Sequence, residues 1–273
     1  MLPPSTENSS IHSAIKSAVL NNVPPIRRLF EDREALRAEL RSLREELAQS
    51  HGRTAKSALA HLHLKGCGIE IGAFDQPLPV APGVKVQYFD RYSTAELKAF
   101  YPDSNPVAVD LVGDGETLAE LADGSQDFII ASHFFEHCQN PIGTLKNLLR
   151  VVKVGGFLFL VIPDKRFTFD AVREITPFAH IRNDYLLGPE VSQRAHCEEW
   201  ARVIDKIADP AAREVKVKHL LDTNWPIHYH VWTAADVLEM FIETQKLPGL
   251  NYSLEAFHGD GLFEVTALLR RTI

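Results

Sequence analysis

The chain contains little cysteine and no long apolar run. Its three cysteines, Cys67, Cys138 and Cys197, are far apart and form no Cys-x-x-Cys pair among the 273 residues. This pattern argues against a disulfide framework and against a cysteine zinc site, and it suits reduced thiols in a cytosol. No stretch of about 18 consecutive apolar residues occurs, and residues 1–10 are polar. We therefore expect a soluble, cytoplasmic protein with no membrane span.

Positive charge is also scarce. The chain has 29 Lys and Arg against 36 Asp and Glu, a net charge of -7. This balance disfavours a surface that follows phosphates, so nucleic acid is not an expected partner. What the chain does have is a hydrophobic content of 45%. At this length that content can bury a sizeable core, which predicts one main globular domain with appendages.

Residues 1–50 are predicted to be an appendage. Residues 1–25 are rich in Pro, Ser and Asn and are expected to be flexible. Residues 26–50 are expected to form a helix, because apolar residues alternate at spacings of three and four, interrupted only by Arg33. They are Ile26, Leu29, Leu36, Leu40, Leu43 and Leu47. Two interpretations stay open: the heptad helix at 26–47 makes a homodimer or docks a partner as a coiled coil, or it lies on its own domain.

Short apolar runs alternate with helix-start signals from about residue 56 onward. The signals are the capping box Ser93–Glu96 and the pair Asn140-Pro141, whose helix should stop at Gly155-Gly156. Three prolines within residues 72–83 leave room only for an extended loop there. Alternating strands and helices predict a parallel sheet with right-handed crossovers. The predicted strands are 67–71, 84–89, 107–111, 127–131 and 157–162.

The alternation stops between Asp164 and His230. Thr176-Pro177 and Gly188-Pro189 mark two helix starts in this stretch. A helical insertion at this edge of a sheet is where a lid over an acceptor would lie.

A helix capped by Thr233 and a hairpin about Gly259-Asp-Gly261 then complete a Rossmann-like α/β fold of seven mostly parallel strands, with an antiparallel C-terminal hairpin. We expect the hairpin strands at about 252–258 and 263–270. The predicted domains are a cofactor-binding core at 56–163, an insertion at 164–230 and a completing helix and hairpin at 231–273.

The segment Gly68-Ile-Glu70-Ile-Gly72-Ala-Phe74 is typical of a buried strand that ends in a turn binding a nucleotide-type cofactor. A dinucleotide fold would require G-x-G-x-x-G here, and Phe74 occupies the position of the second glycine. Because a diphosphate needs bare backbone to approach it, this side chain argues against NAD or FAD. A cofactor without a phosphate is easier to fit.

Together these residues resemble the class I S-adenosylmethionine-dependent methyltransferases, in their small-molecule, type 11-like branch. The resemblance covers Lys65 to about Pro163 and the terminal hairpin, with five segments in the family's order. These are Gly68–Gly72, Val86–Asp90, Gly113–Glu116, Asp127–His137 and Gly155–Pro163.

The resemblance implies S-adenosyl-L-methionine as the cofactor and methyl transfer as the activity. Asp90 would accept hydrogen bonds from the ribose hydroxyls, and Asp114 would meet the adenine. Glu70 would orient the ammonium group, while the backbone of Gly72 and Ala73 approaches the amino-acid end. Further residues expected at the cofactor are Arg91, Gly115, Ser132 and His133.

The segment His133-Phe-Phe-Glu136-His137 also has the spacing of the inverted zinc-protease motif, H-x-x-E-H. That motif needs a helix to bring both histidines onto one face. Here a strand precedes it directly and Asn140 starts the next helix, so at most one turn fits. We therefore predict no metal site and place Glu136 and His137 at the mouth of the cofactor site.

A hydroxyl acceptor needs a base, and a neutral histidine suits that role near pH 7. The candidates are His133, His137 and His230, with Asp164 as a base or orienting acid. His228 shares one face of an extended segment with His230, although both could instead pack the insertion against the core. Aromatic and charged residues of the insertion suit a polar, sugar-like or anionic acceptor.

The leading prediction is thus an enzyme that methylates oxygen of a small or glycan-like acceptor. Chains with Glu-Ile-Gly-Ala, a proline-rich first crossover and Pro-Asp-Lys-Arg after the fifth strand resemble bacterial methyltransferases of polysaccharide assembly. Two alternatives stay open. One is a non-catalytic scaffold or binding subunit that acts through the N-terminal coiled coil, and the other is an NAD-dependent oxidoreductase.

Overall fold

The computed structural model describes residues 55–273. The flexible segment predicted at 1–25 and the heptad helix predicted at 26–50 lie outside the described residues, so the coiled coil and the homodimer stay predictions. Among residues 55–273, no helix is long and apolar enough to cross a membrane.

Seven strands of the described part form one sheet in the order β3-β2-β1-β4-β5-β7-β6. The strands are β1 (Cys67–Ile71), β2 (Lys85–Asp90), β3 (Leu111–Val112), β4 (Gln126–Ser132), β5 (Val152–Pro163), β6 (Tyr252–Gly259) and β7 (Glu264–Arg271). Strands β1 to β5 pair in parallel, and β7 pairs antiparallel with β5 and β6. This topology confirms the predicted Rossmann-like sheet with its antiparallel C-terminal hairpin.

Helices α2 to α7 begin where the sequence places a capping residue or a proline. Ser93 forms a capping box with Glu96, and the Asn140 side chain accepts the Gly143 amide. The helices are α1 (55–63), α2 (Thr94–Phe100), α3 (Pro141–Val151), α4 (Phe178–Leu187), α5 (Glu190–Val203), α6 (Pro210–Thr223) and α7 (Ala234–Thr244). Short 3-10 turns lie at Phe135–His137, Lys165–Phe167 and Phe169–Val172.

The sheet is buried on both faces, which explains its nearly continuous apolar strands. Along β4, Ile129 and Ala131 join the larger core, which α3 and α7 cover. Phe128 and Ile130 point to the opposite face and pack against α1 and the loop that follows β1. Glu70 alternates with Ile69 and Ile71 along β1, so it points to this second face.

Strand β3 is shorter than the predicted 107–111. The Val107 amide donates to the Phe74 carbonyl oxygen at 2.7 Å, and the Val109 amide donates to the Thr94 hydroxyl at 2.8 Å. Because these amides already have partners outside the sheet, the segment continues as a loop and pairs with β2 only at Leu111–Val112.

Helix α3 ends at Val151, earlier than the predicted stop at Gly155-Gly156. Its end is set by a residue distant in sequence: the Arg271 guanidinium donates to the carbonyl oxygens of Leu149, Arg150 and Val152 at 2.6–2.9 Å. A cation at this end satisfies the free carbonyls of the last turn and complements the helix dipole.

Gly68 is required where β1 pairs with β4, opposite Phe128. A Cβ atom there would lie well inside van der Waals contact of the Phe128 carbonyl oxygen and ring. We expect Gly68→Ala to lower the free energy of unfolding by about 1–3 kcal/mol, because the two strands must separate. Urea denaturation followed by circular dichroism measures this.

Gly259→Ala is the matched control on β6, since its Cβ would meet the Ala234 methyl at an ordinary 3.6 Å. It should change stability by less than about 0.5 kcal/mol. Equal stability of the two variants would contradict the proposed contact at Gly68.

Candidate cofactor and acceptor site

A cavity of about 730 Å³ opens at the carboxyl ends of β1 and β2. Ile71 and Gly72 line it from β1, and Phe89 and Asp90 line it from β2. On its far side it reaches Trp225, which follows α6 of the insertion. Carboxyl ends of parallel strands are where α/β folds bind ligands.

The turn after β1 presents bare backbone to this cavity. Gly72 has a positive φ of 66°, and a Cβ atom there would meet nothing within 4 Å. Phe74 also has a positive φ of 48° and turns its ring away to pack edge-on against Tyr101, with ring centroids 5.2 Å apart. The space beside Gly72 therefore stays open for a ligand.

Two predicted carboxylates line the same cavity. Asp90 ends β2, and its Oδ1 accepts the Tyr92 amide at 3.0 Å. Burial raises the pKa of Asp90 above its ordinary value, against the opposing effect of that amide. Asp114 is exposed in the turn after β3, where its Oδ1 accepts the Glu116 amide at 2.9 Å. Each turn is held by one carboxylate oxygen, in the manner of an Asx turn.

Arg91 connects the core to the insertion across the cavity. Its Nη1 donates to the Asn224 carbonyl oxygen at 3.0 Å. The side-chain Nε2 of Gln139 donates to Asn224 Oδ1 at 2.6 Å. The side-chain Nε2 of Gln193 on α5 donates to Gln139 Oε1 at 2.9 Å. These bonds place the end of α6 and one side of α5 beside the cavity.

His133 lines the cavity and is held by two carboxylates. Its Nε2 lies 3.0 Å from Glu264 Oε2, and its Nδ1 lies 3.6 Å from Glu136 Oε1. Burial acts to lower the pKa of His133. The hydrogen bond to Glu264 and the charge of Glu136 outweigh this effect and raise the pKa above its ordinary value. This histidine is therefore stabilised in its protonated form.

His137 also lines the cavity, and its environment differs. Its Nδ1 lies 3.0 Å from the Ile227 carbonyl oxygen, which fixes Nδ1 as the protonated nitrogen and leaves Nε2 as an acceptor. Burial lowers the pKa of His137, partly opposed by the charge of Glu136. The His228 ring stands edge-on to it with centroids 4.6 Å apart.

The remaining predicted cofactor residues lie outside the cavity lining. Glu70 is 1% exposed on the opposite face of the sheet, where both of its oxygens accept the Leu78 amide at 2.9 and 3.1 Å. Ala73 is buried behind the turn, and Ser132 ends β4 without reaching the lining. Their assignment to the cofactor stays a prediction.

Two of the predicted catalytic residues also lie elsewhere. Asp164 is paired with Arg166 at 2.6 Å and accepts the Ala234 amide at 3.0 Å. Although burial raises it, these bonds hold the pKa of Asp164 below its ordinary value. His230 is fully buried beside His180 and His196, where burial and these neighbours lower its pKa well below the usual range.

Two lining residues escaped the sequence interpretation, Gln139 and Asn224, and the structural role of Glu116 was not predicted. Glu116 accepts the amides of Gln139 and Asn140 at 3.1–3.2 Å and so caps α3. Helix α6 was not predicted either, although Asp209-Pro210 repeats the Asn140-Pro141 signal, with Asp209 accepting the Ala212 amide. Recognising α6 would have placed Asn224 at its C-terminal cap.

Comparisons with known proteins relate part of the chain to methyltransferases. Residues 66–160, which hold β1 to most of β5, match the family model described as "Methyltransferase domain". The human thiol S-methyltransferase TMT1B is 30% identical over 124 residues, which are 42% of this chain and 48% of that protein. The chain thus spans about half the length of this relative.

Solved structures with a similar course of the chain include two bacterial proteins. A methyltransferase of Bacillus halodurans has a TM-score of 0.44 at 14% identity and covers 81% of this chain and 99% of its own. A SAM-dependent methyltransferase of Thermotoga maritima has a TM-score of 0.41 at 16% identity, covering 87% and 97%.

The buried Glu70 gives the protein a testable pH dependence. Burial raises its pKa from 4.5 to about 7, against the Leu78 amide and the charge of Lys56. Between these values the folded chain binds more protons than the unfolded chain, so this carboxyl makes stability fall as pH rises through the window. Above about pH 7 the loss is complete and amounts to at most about 3 kcal/mol.

Glu70→Gln removes this titration and keeps an oxygen for the Leu78 amide. We expect the variant to gain stability relative to the parent chain as pH rises from about 5 to 8. Urea denaturation at a series of pH values measures the difference. A constant difference across the series would contradict a raised pKa at Glu70.

Proposed function

We propose that this chain, in which residues 66–160 form a class I S-adenosylmethionine-dependent methyltransferase domain, methylates a hydroxyl oxygen of a small or glycan-like acceptor. One observation carries the proposal. A single cavity joins Gly72, Asp90 and Asp114 to His137 and the insertion residue Trp225. Its volume of about 730 Å³ falls within the range of roughly 300–1,000 Å³ for small-molecule sites.

The residues of the cavity fit the cofactor. Open space beside Gly72 suits close approach of the amino-acid end. Asp90, at the end of β2, would hold the ribose hydroxyls, and Asp114 would meet the adenine. When bound, S-adenosylmethionine would supply a methyl group on a positively charged sulfur. The acceptor oxygen would bond to the methyl carbon as the carbon–sulfur bond breaks, leaving S-adenosylhomocysteine. The protein's main contribution is to align the acceptor, an effect worth up to about 7–11 kcal/mol.

Among the predicted bases, His137 suits proton removal best. Its Nδ1 is committed to the Ile227 carbonyl oxygen, so Nε2 can accept the proton of the acceptor hydroxyl. Its lowered pKa keeps the imidazole neutral near pH 7. The charge of buried Glu136 nearby favours the imidazolium that forms. His133 suits this role less, because Glu264 favours its protonated state.

The mouth of the cavity favours an acceptor with both polar and ring surfaces. Phe100, Tyr101 and Trp225 line it and are 45–53% exposed. The exposed guanidinium of Arg91 lies beside Tyr92, 5.8 Å from its ring centroid. Exposed aromatics next to hydrogen-bond donors suit a sugar-like or anionic molecule, whose ring faces can pack while its hydroxyls or charges are bound.

Asp90 tests the cofactor assignment. Asp90→Ala should weaken binding of S-adenosylhomocysteine by roughly 10- to 100-fold, because the hydroxyls lose a charged acceptor. Isothermal titration calorimetry measures the affinity, and Asp103→Ala on the exposed loop is the matched control. Failure of the parent chain to bind the ligand would overturn the cofactor site. Unchanged affinity in Asp90→Ala would show that the ribose lies elsewhere.

His137 tests the base. We expect His137→Ala to lower kcat by about 10²- to 10⁴-fold, with S-adenosylhomocysteine affinity changed less than about twofold. Methyl transfer to a panel of sugars, nucleotide sugars and phenols, with amines and thiols alongside, would identify the acceptor and give the rate. Transfer only to amines or thiols would contradict methylation at oxygen.

The pH profile separates a base from a merely structural histidine. In the parent chain kcat/KM should rise with pH through a pKa below 6.5 and level off near neutrality, because Nε2 must be deprotonated. His137→Ala should lose this ascending limb, whereas His133→Ala should keep it. An ascending limb that survives in His137→Ala would rule this histidine out as the base.

A further inference from the structure

Four side chains of types that commonly bind metals converge in the insertion, outside the cavity. His180 and Asp184 are four residues apart and so share one face of α4. His196 comes from α5, and His230 comes from the extended segment before α7. One ligand atom of each lies within 4.8 Å of all the others. Three separate stretches of chain thus meet at one point.

The separations match a tetrahedral metal site. His180 Nε2 lies 3.0 Å from His196 Nε2 and 3.2 Å from Asp184 Oδ2, and His230 Nε2 lies 3.9 Å from that same oxygen. Zinc binds histidine nitrogen and carboxylate oxygen at 2.0–2.2 Å, so tetrahedral ligand atoms are about 3.3 Å apart. The cluster's shortest separations bracket this value.

Burial makes the cluster costly without a cation. Asp184, His196 and His230 are 0–8% exposed. Asp184 Oδ2 is buried with no hydrogen-bond partner, whereas His230 Nε2, which faces it at 3.9 Å, lies 3.5 Å from the Gln139 carbonyl oxygen. Burying a carboxylate oxygen without a hydrogen-bond donor costs the full desolvation free energy of that oxygen. A bound cation would offset this cost.

Neighbouring groups orient the ligands. The Ser192 hydroxyl donates to Asp184 Oδ1 at 2.6 Å, which leaves Oδ2 directed at the histidines. The His230 ring stacks on Trp232 with an interplanar angle of 25°. Outer contacts of this kind fix ligand orientation in metal sites.

We propose that His180, Asp184, His196 and His230 bind one zinc ion. Four protein ligands close the coordination sphere, so the ion is structural. It ties α4 and α5 to the segment that returns to the core. Because Gln193 of α5 holds Gln139 at the cavity wall, the ion also steadies one side of the acceptor site.

Metal analysis of the purified full-length chain is the first test. We expect one zinc ion per chain by mass spectrometry of the metal, and a lower Tm after removal with a chelator. Co²⁺ added to the metal-free chain should give the visible absorption of tetrahedral coordination. A parent chain that neither contains zinc nor binds added Zn²⁺ or Co²⁺ would overturn the proposal.

Variants locate the ion. Asp184→Asn keeps the shape of the side chain and removes its charge. This variant and His196→Ala should each weaken zinc binding by at least about 100-fold. Ser192→Ala should weaken it about 10- to 100-fold, through ligand orientation alone. His219→Ala, at an exposed histidine of α6, is the control and should bind as the parent does.

A second group, Glu136, His137 and His228, could also hold a metal ion. Loss of zinc in His228→Ala with retention in His196→Ala would assign the ion to that group and overturn the proposal. Circular dichroism identifies variants that fail to fold. If the variants fail to fold, the Co²⁺ spectrum of the parent chain alone tests whether the protein binds a tetrahedral metal ion.

Discussion

The bond between Glu70 and the Leu78 amide anchors the loop that follows β1. In this fold the first crossover ordinarily carries a helix, but prolines in the segment 72–83 exclude one. Glu70, buried on the second face of the sheet, accepts the Leu78 amide with both oxygens and anchors the loop there. Leu78 then fills the space between α1 and the sheet. Because the loop is held from behind, Gly72 can leave the opposite side open.

This arrangement divides the polar residues of the strand ends between the two faces. Glu70 serves the loop, whereas Asp90 and Asp114 hold their own turns with one oxygen each and line the cavity. The insertion closes the far side partly through the hydrogen bond from Arg91 to Asn224. Hydrogen bonds at a cavity's rim can open at modest cost, so this contact is compatible with entry of a cofactor from the same side.

The sequence predicted most of what depends on local patterns, with α6 as the exception, and missed what depends on distant partners. The mostly parallel sheet, the Ser93 capping box and the helix-free loop follow from periodicity and turn chemistry, and all three were predicted. The end of α3 depends on Arg271, 120 residues after Val151, and no local signal shows it. The same holds for the site: Gly72 directly follows β1 and His133 directly follows β4, so both could be placed at the strand ends, whereas His230 meets its partners only after α4 and α5 pack.

Two polar clusters within the insertion show why hydrogen-bond partners matter more than residue type. Around Arg173 the opposite charges are paired, although its Nε has no hydrogen-bond partner: Asp170 lies 3.0 Å from Arg173, and His228 lies 2.6 Å from Asp170. That network is an ion-paired support for the segment beside His137. Around Asp184 the residue types are similar, yet Oδ2 of that buried carboxylate has no hydrogen-bond partner. Paired charges offset one another in the first network, whereas in the second the unpartnered oxygen would be offset by the zinc ion proposed above.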